Sequence, residues 1–149
     1  MAIPVYMFMY DDGGNIIKGS VDVSGREHSV EVLGLHHSVS MPTDNFSGKI
    51  TGNRNHLPFL IEKELDFSSA YLYKALTTGE TLKSIELKYY RINDAGYEEE
   101  YFNTLLENAR VVNVMPVMFD VKDIAKEEFN HMEVVEFRYE KNNLALSRR

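Results

Sequence analysis

A mainly β chain with one short helix is predicted by three observations. Segments with two-residue alternation fill most of the sequence, turn-forming clusters separate them, and a single stretch has helical spacing with both ends marked. The 149 residues suit one domain, a single unit over 1–149, and a chain of this length buries enough surface to fold without disulfides.

Residues 3–10 are rich in β-formers and stop at Asp11-Asp12-Gly13-Gly14, where Asp-Gly and Gly-Gly supply the positive φ angles of tight turns. Residues 29–41 form a second extended region. There Val30 and Val32 give way to Leu33, Leu35 and Val39, and this change of phase predicts a bulge or twist near Gly34. Residues 56–65 place Leu57, Phe59 and Ile61 on one face. Residues 82–92 alternate cleanly, with Ile85, Leu87 and Tyr89 on one side and Ser84, Glu86 and Lys88 on the other, so one face is wet. After the turn Asn93-Asp94-Ala95-Gly96, residues 97–118 run extended, and Phe102, Thr104 and Leu106 give way past Glu107 to Val112 and Val114. Val135, Phe137 and Tyr139 alternate with Glu136, Arg138 and Glu140 in the last strand.

The helix lies over residues 69–78. Asp66 or Ser68 can cap it, Leu72 and Leu76 sit four apart beside Ala75, and Gly79 stands at the left-handed C-terminal position. A helix of about ten residues is not stable alone and has to pack on the sheet, closing one open end of a barrel.

Composition excludes several functions. There are no cysteines, hence no thiol catalysis, thiolate metal site or disulfide. Sixteen Lys and Arg stand against 23 Asp and Glu, for a net charge of −7, and the basic residues cluster only at Arg148 and Arg149, which disfavours nucleic acid. The opening stretch lacks a charged n-region and is too short in apolar length for a signal peptide or a membrane span, so the chain is expected to start in the cytoplasm and to use any export route without a signal peptide.

The search for chemistry is negative. His36 and His37 project to opposite faces of a strand and cannot chelate one ion together; no metal or other cofactor is expected. Phosphate-loop, dinucleotide, serine-hydrolase and zinc-protease motifs are all missing, and no nucleophile is paired with a base, so no catalytic residue is assigned. The acidic run Glu98-Glu99-Glu100 reads as a solvated strand start, and the sequon at Asn45 carries no weight without a secretory signal.

One polar stretch stands out. Residues 41–56 join two strands through far more residues than a hairpin needs, and read either as a floppy connection or as a docking arm that reaches a neighbour.

Three stretches together resemble a known family. "YLYKALTTGETLKSIELKYYRINDAGYEEEYFNTLLENARVV" (71–112), "AIPVYMFMYDDGGNIIKGSVDV" (2–23) and "PTDNFSGKITGNRNH" (42–56) are similar to the enterobacterial branch of the Hcp (haemolysin-coregulated protein) family, the tube protein of type VI secretion systems. The resemblance spans residues 1–141. It implies a β-barrel of two facing antiparallel sheets with one flanking helix, homohexameric rings that stack into a tube, and secretion of that tube with effectors in its lumen. The partners implied are further copies of the chain, a contractile sheath, a spike protein and effectors; a soluble ring that carries effectors without forming long tubes is the alternative. Under the resemblance, the 42–55 loop reaches an adjacent subunit or ring with Thr43, Asp44, Asn45, Lys49, Thr51 and Arg54 as its contact residues, Tyr71 and Tyr73 offer an outer helix surface, and the wet strand faces line the lumen. The sequence departs from the family after Lys141, where "NNLALSRR" breaks the alternation. Strand pairing is therefore expected to stop near Lys141, with residues 144–149 frayed or folded over a neighbouring surface.

Overall fold

The computed structural model describes residues 3–146. In chain order its strands are β1 (Val5–Tyr10), β2 (Ile16–Ile17), β3 (Val30–Val32), β4 (Gly34–His36), β5 (Val39–Ser40), β6 (Asn55–His56), β7 (Phe59–Glu64), β8 (Thr81–Ile92), β9 (Glu98–Val117), β10 (Met132–Arg138) and β11 (Lys141–Leu146), with one α-helix, α1 (Ser69–Thr78), between β7 and β8. A single 3-10 turn, Ile124–Lys126, lies between β9 and β10.

The strands close into a barrel through one kinked segment. Hydrogen bonding runs β1–β8–β9–β10–β7–β4, all antiparallel, and β3 returns to β1. Only Leu33 separates β3 from β4, and its N–H donates to the Glu62 carbonyl of β7 at 2.8 Å. The kink expected near Gly34 is thus the barrel's seam, where the chain leaves β1 and joins β7.

β9 is shared between the two facing sheets. Its N-terminal half pairs with β8 on one side and β11 on the other, and its C-terminal half pairs with β10. Besides a register shift against β8 at Tyr101, two irregularities reset the phase of its buried series. Asn108 adopts a positive φ of 52°, and around it the buried series steps from Leu106 to Ala109 on β9, as it steps from Leu82 to Ile85 on β8. Farther along, Val112 is the extra residue of a bulge against Glu136 and Phe137 of β10. Val111 takes the inward place and Val112 is turned outward at 40% exposure, which corrects the inward place expected for Val112, while Val114 packs against the core as expected.

The barrel interior is apolar. Met7, Met9, Val30, Phe59, Ile61, Leu82, Ile85, Leu87, Leu106, Val135 and Phe137 fill it, and Leu72 and Ala75 of α1 join the same cluster from the flank, where the helix packs on β9. Leu57 does not belong to this face: it is 54% exposed, because it lies before β7 begins. A smaller cluster of Tyr6, Phe8 and Tyr90 lies on the outer face of β1 and β8, with the Arg26 guanidinium over Tyr6 and Tyr90 and paired with Glu98.

The helix ends as its sequence dictates. Gly79 adopts φ 70°, ψ 27°, and its N–H reaches back to the Ala75 carbonyl. At the start, Asp66 does the capping, accepting from the Ser68 N–H at 2.9 Å and the Ser68 hydroxyl at 2.5 Å, while Ser68 makes no side-chain cap of its own. Asp66 also faces the fully buried Lys63 ammonium at 3.0 Å, and Lys63 pairs with Glu133 directly across β7 and β10. A charged cluster therefore ties two strands to the helix N-terminus.

The last strand does not stop at Lys141. β11 pairs with β9 from Lys141↔Glu107 to Leu146↔Phe102, in the register that β10 takes after its bulge, so pairing runs through Asn142 and Asn143. Backbone groups make that ladder, and β11 lies outside the barrel, so apolar alternation is not needed to hold it. The stretch of β9 expected to lie unpaired is covered. Residues 147–149, part of the expected frayed tail, lie outside the described residues.

Candidate functional site

The long loop between β5 and β6 is an ordered arm. β5 and β6 pair at its root through Val39↔His56 and Ser40↔Asn55, in a two-stranded sheet separate from the barrel. Farther out, Thr43 and Ile50 form an isolated antiparallel bridge, and the Thr51 N–H donates to the Pro42 carbonyl at 2.9 Å. The tip is a tight turn. The Asp44 N–H donates to the Lys49 carbonyl at 2.8 Å, and Gly48, at φ 71°, donates to the Asp44 carbonyl. The Asp44 carboxylate accepts from the Phe46 and Ser47 N–H groups at 2.7 and 3.2 Å, and these bonds, Phe46 first, hold its pKa below the usual carboxylate value.

The expected contact residues all lie on this arm and are exposed, but their roles differ. Thr43, Asp44, Lys49 and Thr51 build the turn and the rungs below it through their backbone groups, and Asp44 also through its carboxylate. Asn45 stands at the tip, and Arg54 borders a shallow hollow with Met41, Ile50 and His56. Sequence reasoning passed over the arm's apolar surface. Phe46 is fully exposed at the tip and Ile50 is 65% exposed beside it, with Met41, Val39 and Leu57 exposed toward the root. A turn organised by Asp44 thus holds a phenyl ring out in solvent, where it has nothing of its own chain to bury against.

The two helix tyrosines separate. Tyr71 packs against the core, its hydroxyl donates to Glu80 at 3.1 Å, and burial first, then that carboxylate, pushes its pKa up to about 12. Tyr73 is 60% exposed on the outer side. A second unforeseen surface lies in the segment between β9 and β10. There Met118, Val121 and Ile124 are exposed, Phe119 and Phe129 stack with centroids 4.9 Å apart, and the Lys126 ammonium lies over both rings.

The arrangement has the character of an assembly surface. Among the described residues no three His, Cys, Asp or Glu side chains are placed to hold a metal ion, and no helix is long and apolar enough to cross a membrane. Exposed apolar groups on an ordered projection are suited to contact with another protein.

Comparison with known proteins agrees. A sequence model described as "Type VI secretion system effector, Hcp" matches residues 6–145. The chain belongs to the Hcp family. It is 37% identical to the major exported protein of Pseudomonas aeruginosa over 150 residues, covering 95% of this chain and 87% of the relative. The structure of the Hcp1 protein from the E. coli EAEC 042 pathovar is similar at a TM-score of 0.87 and 58% identity, covering 97% of this chain and 92% of that one. The secreted protein Hcp3 of P. aeruginosa superposes at a TM-score of 0.72 with 27% identity, over 99% of this chain and 100% of the other. The barrel of two facing antiparallel sheets with a flanking helix is therefore the Hcp fold, as the resemblance implied.

Proposed function

We infer that this Hcp chain is a structural subunit of the type VI secretion inner tube, closing with five copies of itself into a ring and stacking ring on ring. The observation that carries this reading is the arm. An ordered hairpin that exposes Phe46 and Ile50 is costly in a lone monomer and useful where a neighbouring copy covers it. A closed ring is built from two different patches per subunit, and a projecting arm supplies one of them. The polar faces of β8 and β9, with Glu86, Lys88, Asn103 and Glu107, suit a wetted bore that does not trap cargo.

Family membership supports a place in the secretion apparatus, and the name of the P. aeruginosa relative supports export. On this reading the chain is made in the cytoplasm, leaves through the apparatus, and meets a contractile sheath outside, a spike at the tip and effectors within. Its net charge of −7 argues against nucleic acid as cargo. It acts as a wall, not as a catalyst.

Light scattering on the purified chain is expected to give roughly six times the monomer mass, the ring being closed by rotation of one heterologous contact. A monomer that persists at high concentration and low salt overturns the reading. Rings that electron microscopy shows never to stack would instead identify a soluble effector carrier.

A further inference from the structure

Three segments meet at one hydroxyl at the root of the arm. His37 precedes β5, His56 ends β6, and Tyr139 sits at the joint between β10 and β11. The Tyr139 oxygen lies 2.6 Å from His37 Nε2 and 2.8 Å from His56 Nδ1. Both imidazoles stand edge-on to the phenol ring, with centroids 5.5 and 5.6 Å away, and His37 also lies against Phe59 of β7 at 4.7 Å. These oxygen–nitrogen separations are hydrogen bonds. Three donors around a metal, each with a bond of about 2 Å, would stand roughly 3.3 Å apart, so the closed trio has no room for an ion.

Proton counting gives the trio its character. A phenol has one proton to give, so with both imidazoles neutral one ring nitrogen accepts from Tyr139 and the other donates to it. One added proton is tolerated, because the second imidazole can change tautomer and accept in its turn. A second is not: both rings then donate, the phenol has no acceptor left in the trio, and two cations face each other across one oxygen.

The surroundings do not relieve that repulsion. From the arm, Arg54 adds a further positive charge two residues before His56. From β10, the Glu136 carboxylate borders the hollow that His37 lines and keeps its charge, but it is held by the Asn113 amide at 2.7 Å rather than by an imidazole, and at the β10–β11 joint Glu140 is held by the Asn108 amide at 3.1 Å. The Asn142 amide, which lies against the phenol, is neutral, its buried oxygen is without a partner, and β7 contributes only the Phe59 ring. His36 is exposed on the rim of the hollow that His37 lines, outside the hydrogen-bonded trio. Among the described residues neither His37 nor His56 has a carboxylate partner.

We propose that His37, His56 and Tyr139 form a proton-sensitive latch that holds the root of the arm to the barrel at neutral pH and releases it in acid. The sign follows from His37, whose pKa is lowered, first by burial and then by the neighbouring His56. The open state, with its imidazole free in water, binds protons below about pH 6.5 and the closed state does so only at lower pH, so acidification favours opening. This goes beyond the tube reading and is measured on the arm itself.

The test is hydrogen exchange on the full chain at pH 7.5 and 5.5, corrected for the intrinsic rate. The reporter is the Leu57 N–H, which donates to the Ser38 carbonyl at 3.0 Å beside the latch. Its protection is expected to fall roughly several-fold between the two pH values, while amides of β8 hold steady. Tyr139→Phe should be unprotected at both values. His37→Gln keeps a hydrogen-bonding partner but removes the second proton, so it should stay protected at both and serves as the second variant should the first lose its β8 protection. Repeating the measurement at two protein concentrations separates opening of the root from dissociation of copies. Equal Leu57 protection at both pH values in the wild type, or a wild-type fall in His37→Gln, overturns the latch.

Discussion

Replacing Lys63 by alanine is expected to destabilise the fold by about 3–5 kcal/mol, the range for breaking a buried ion pair from one side. The Lys63 side chain is fully buried, and its ammonium meets Glu133, the Asp66 carboxylate and the Ser69 hydroxyl together with the Glu64 carbonyl. Alanine leaves two carboxylates facing each other with no cation between them, one almost wholly out of water, and loosens the end of α1 that Asp66 organises. Lys63→Met combined with Glu133→Leu should recover most of the loss, since an apolar pair of similar volume replaces the charged one while Asp66 keeps its bonds to Ser68. Urea unfolding at pH 7 and one fixed protein concentration measures both, because assembly makes the midpoint depend on concentration. A loss below about 1 kcal/mol for the single variant would show that water takes the ammonium's place.

The second large effect is expected at the tip of the arm. Phe46→Ser with Ile50→Ser should leave the unfolding midpoint of the dissociated subunit where it is, since neither side chain touches the core. Assembly should weaken by at least about 2 kcal/mol, a shift of roughly 30-fold in the concentration at which rings form, as for the loss of an aromatic anchor. Replacing Asp44, Lys49 and Arg54 with alanine should have a smaller effect, mainly through Asp44, whose carboxylate sets the turn under Phe46. Sedimentation velocity across a dilution series distinguishes the two sets. Assembly that survives the serine pair unchanged removes the arm from the ring contact.

Where a strand has one wet face and one buried face, its residues reported their own position. The period of two at Ile85, Leu87 and Tyr89, the turn at Asp11–Gly14, the kink by Gly34 and the left-handed stop at Gly79 all follow from local chemistry and all appear in the fold. Errors arose where one residue changed the phase. The bulge at Val112 hands its inward place to Val111, and nothing in a run of valines tells which one is squeezed out. β11 was missed because its ladder is made of backbone groups, to which Asn142 and Asn143 contribute as well as any valine does. The charged cluster left a signal that was not used: Lys63 continues the inward phase of Phe59 and Ile61, and Glu133 that of Val135 and Phe137, with opposite signs. Phe46 had no such signal, since an apolar residue in a turn has no period to be read from.

A consequence of β9's double membership concerns force. Of its twenty residues, the N-terminal part to Arg110 is hydrogen-bonded to β8 along one edge, and the other edge carries β11 and then β10, so a single backbone crosses from one sheet to the next. A pull along that backbone loads both rows of bonds in shear, and many must fail together before the strand can slip; bonds peeled from one end would fail in turn. On the tube reading proposed above, the subunit would meet sudden axial loads. Spreading such a load over three partner strands gives the subunit a stiff spine, with its compliance left to the arm and to the segment between β9 and β10.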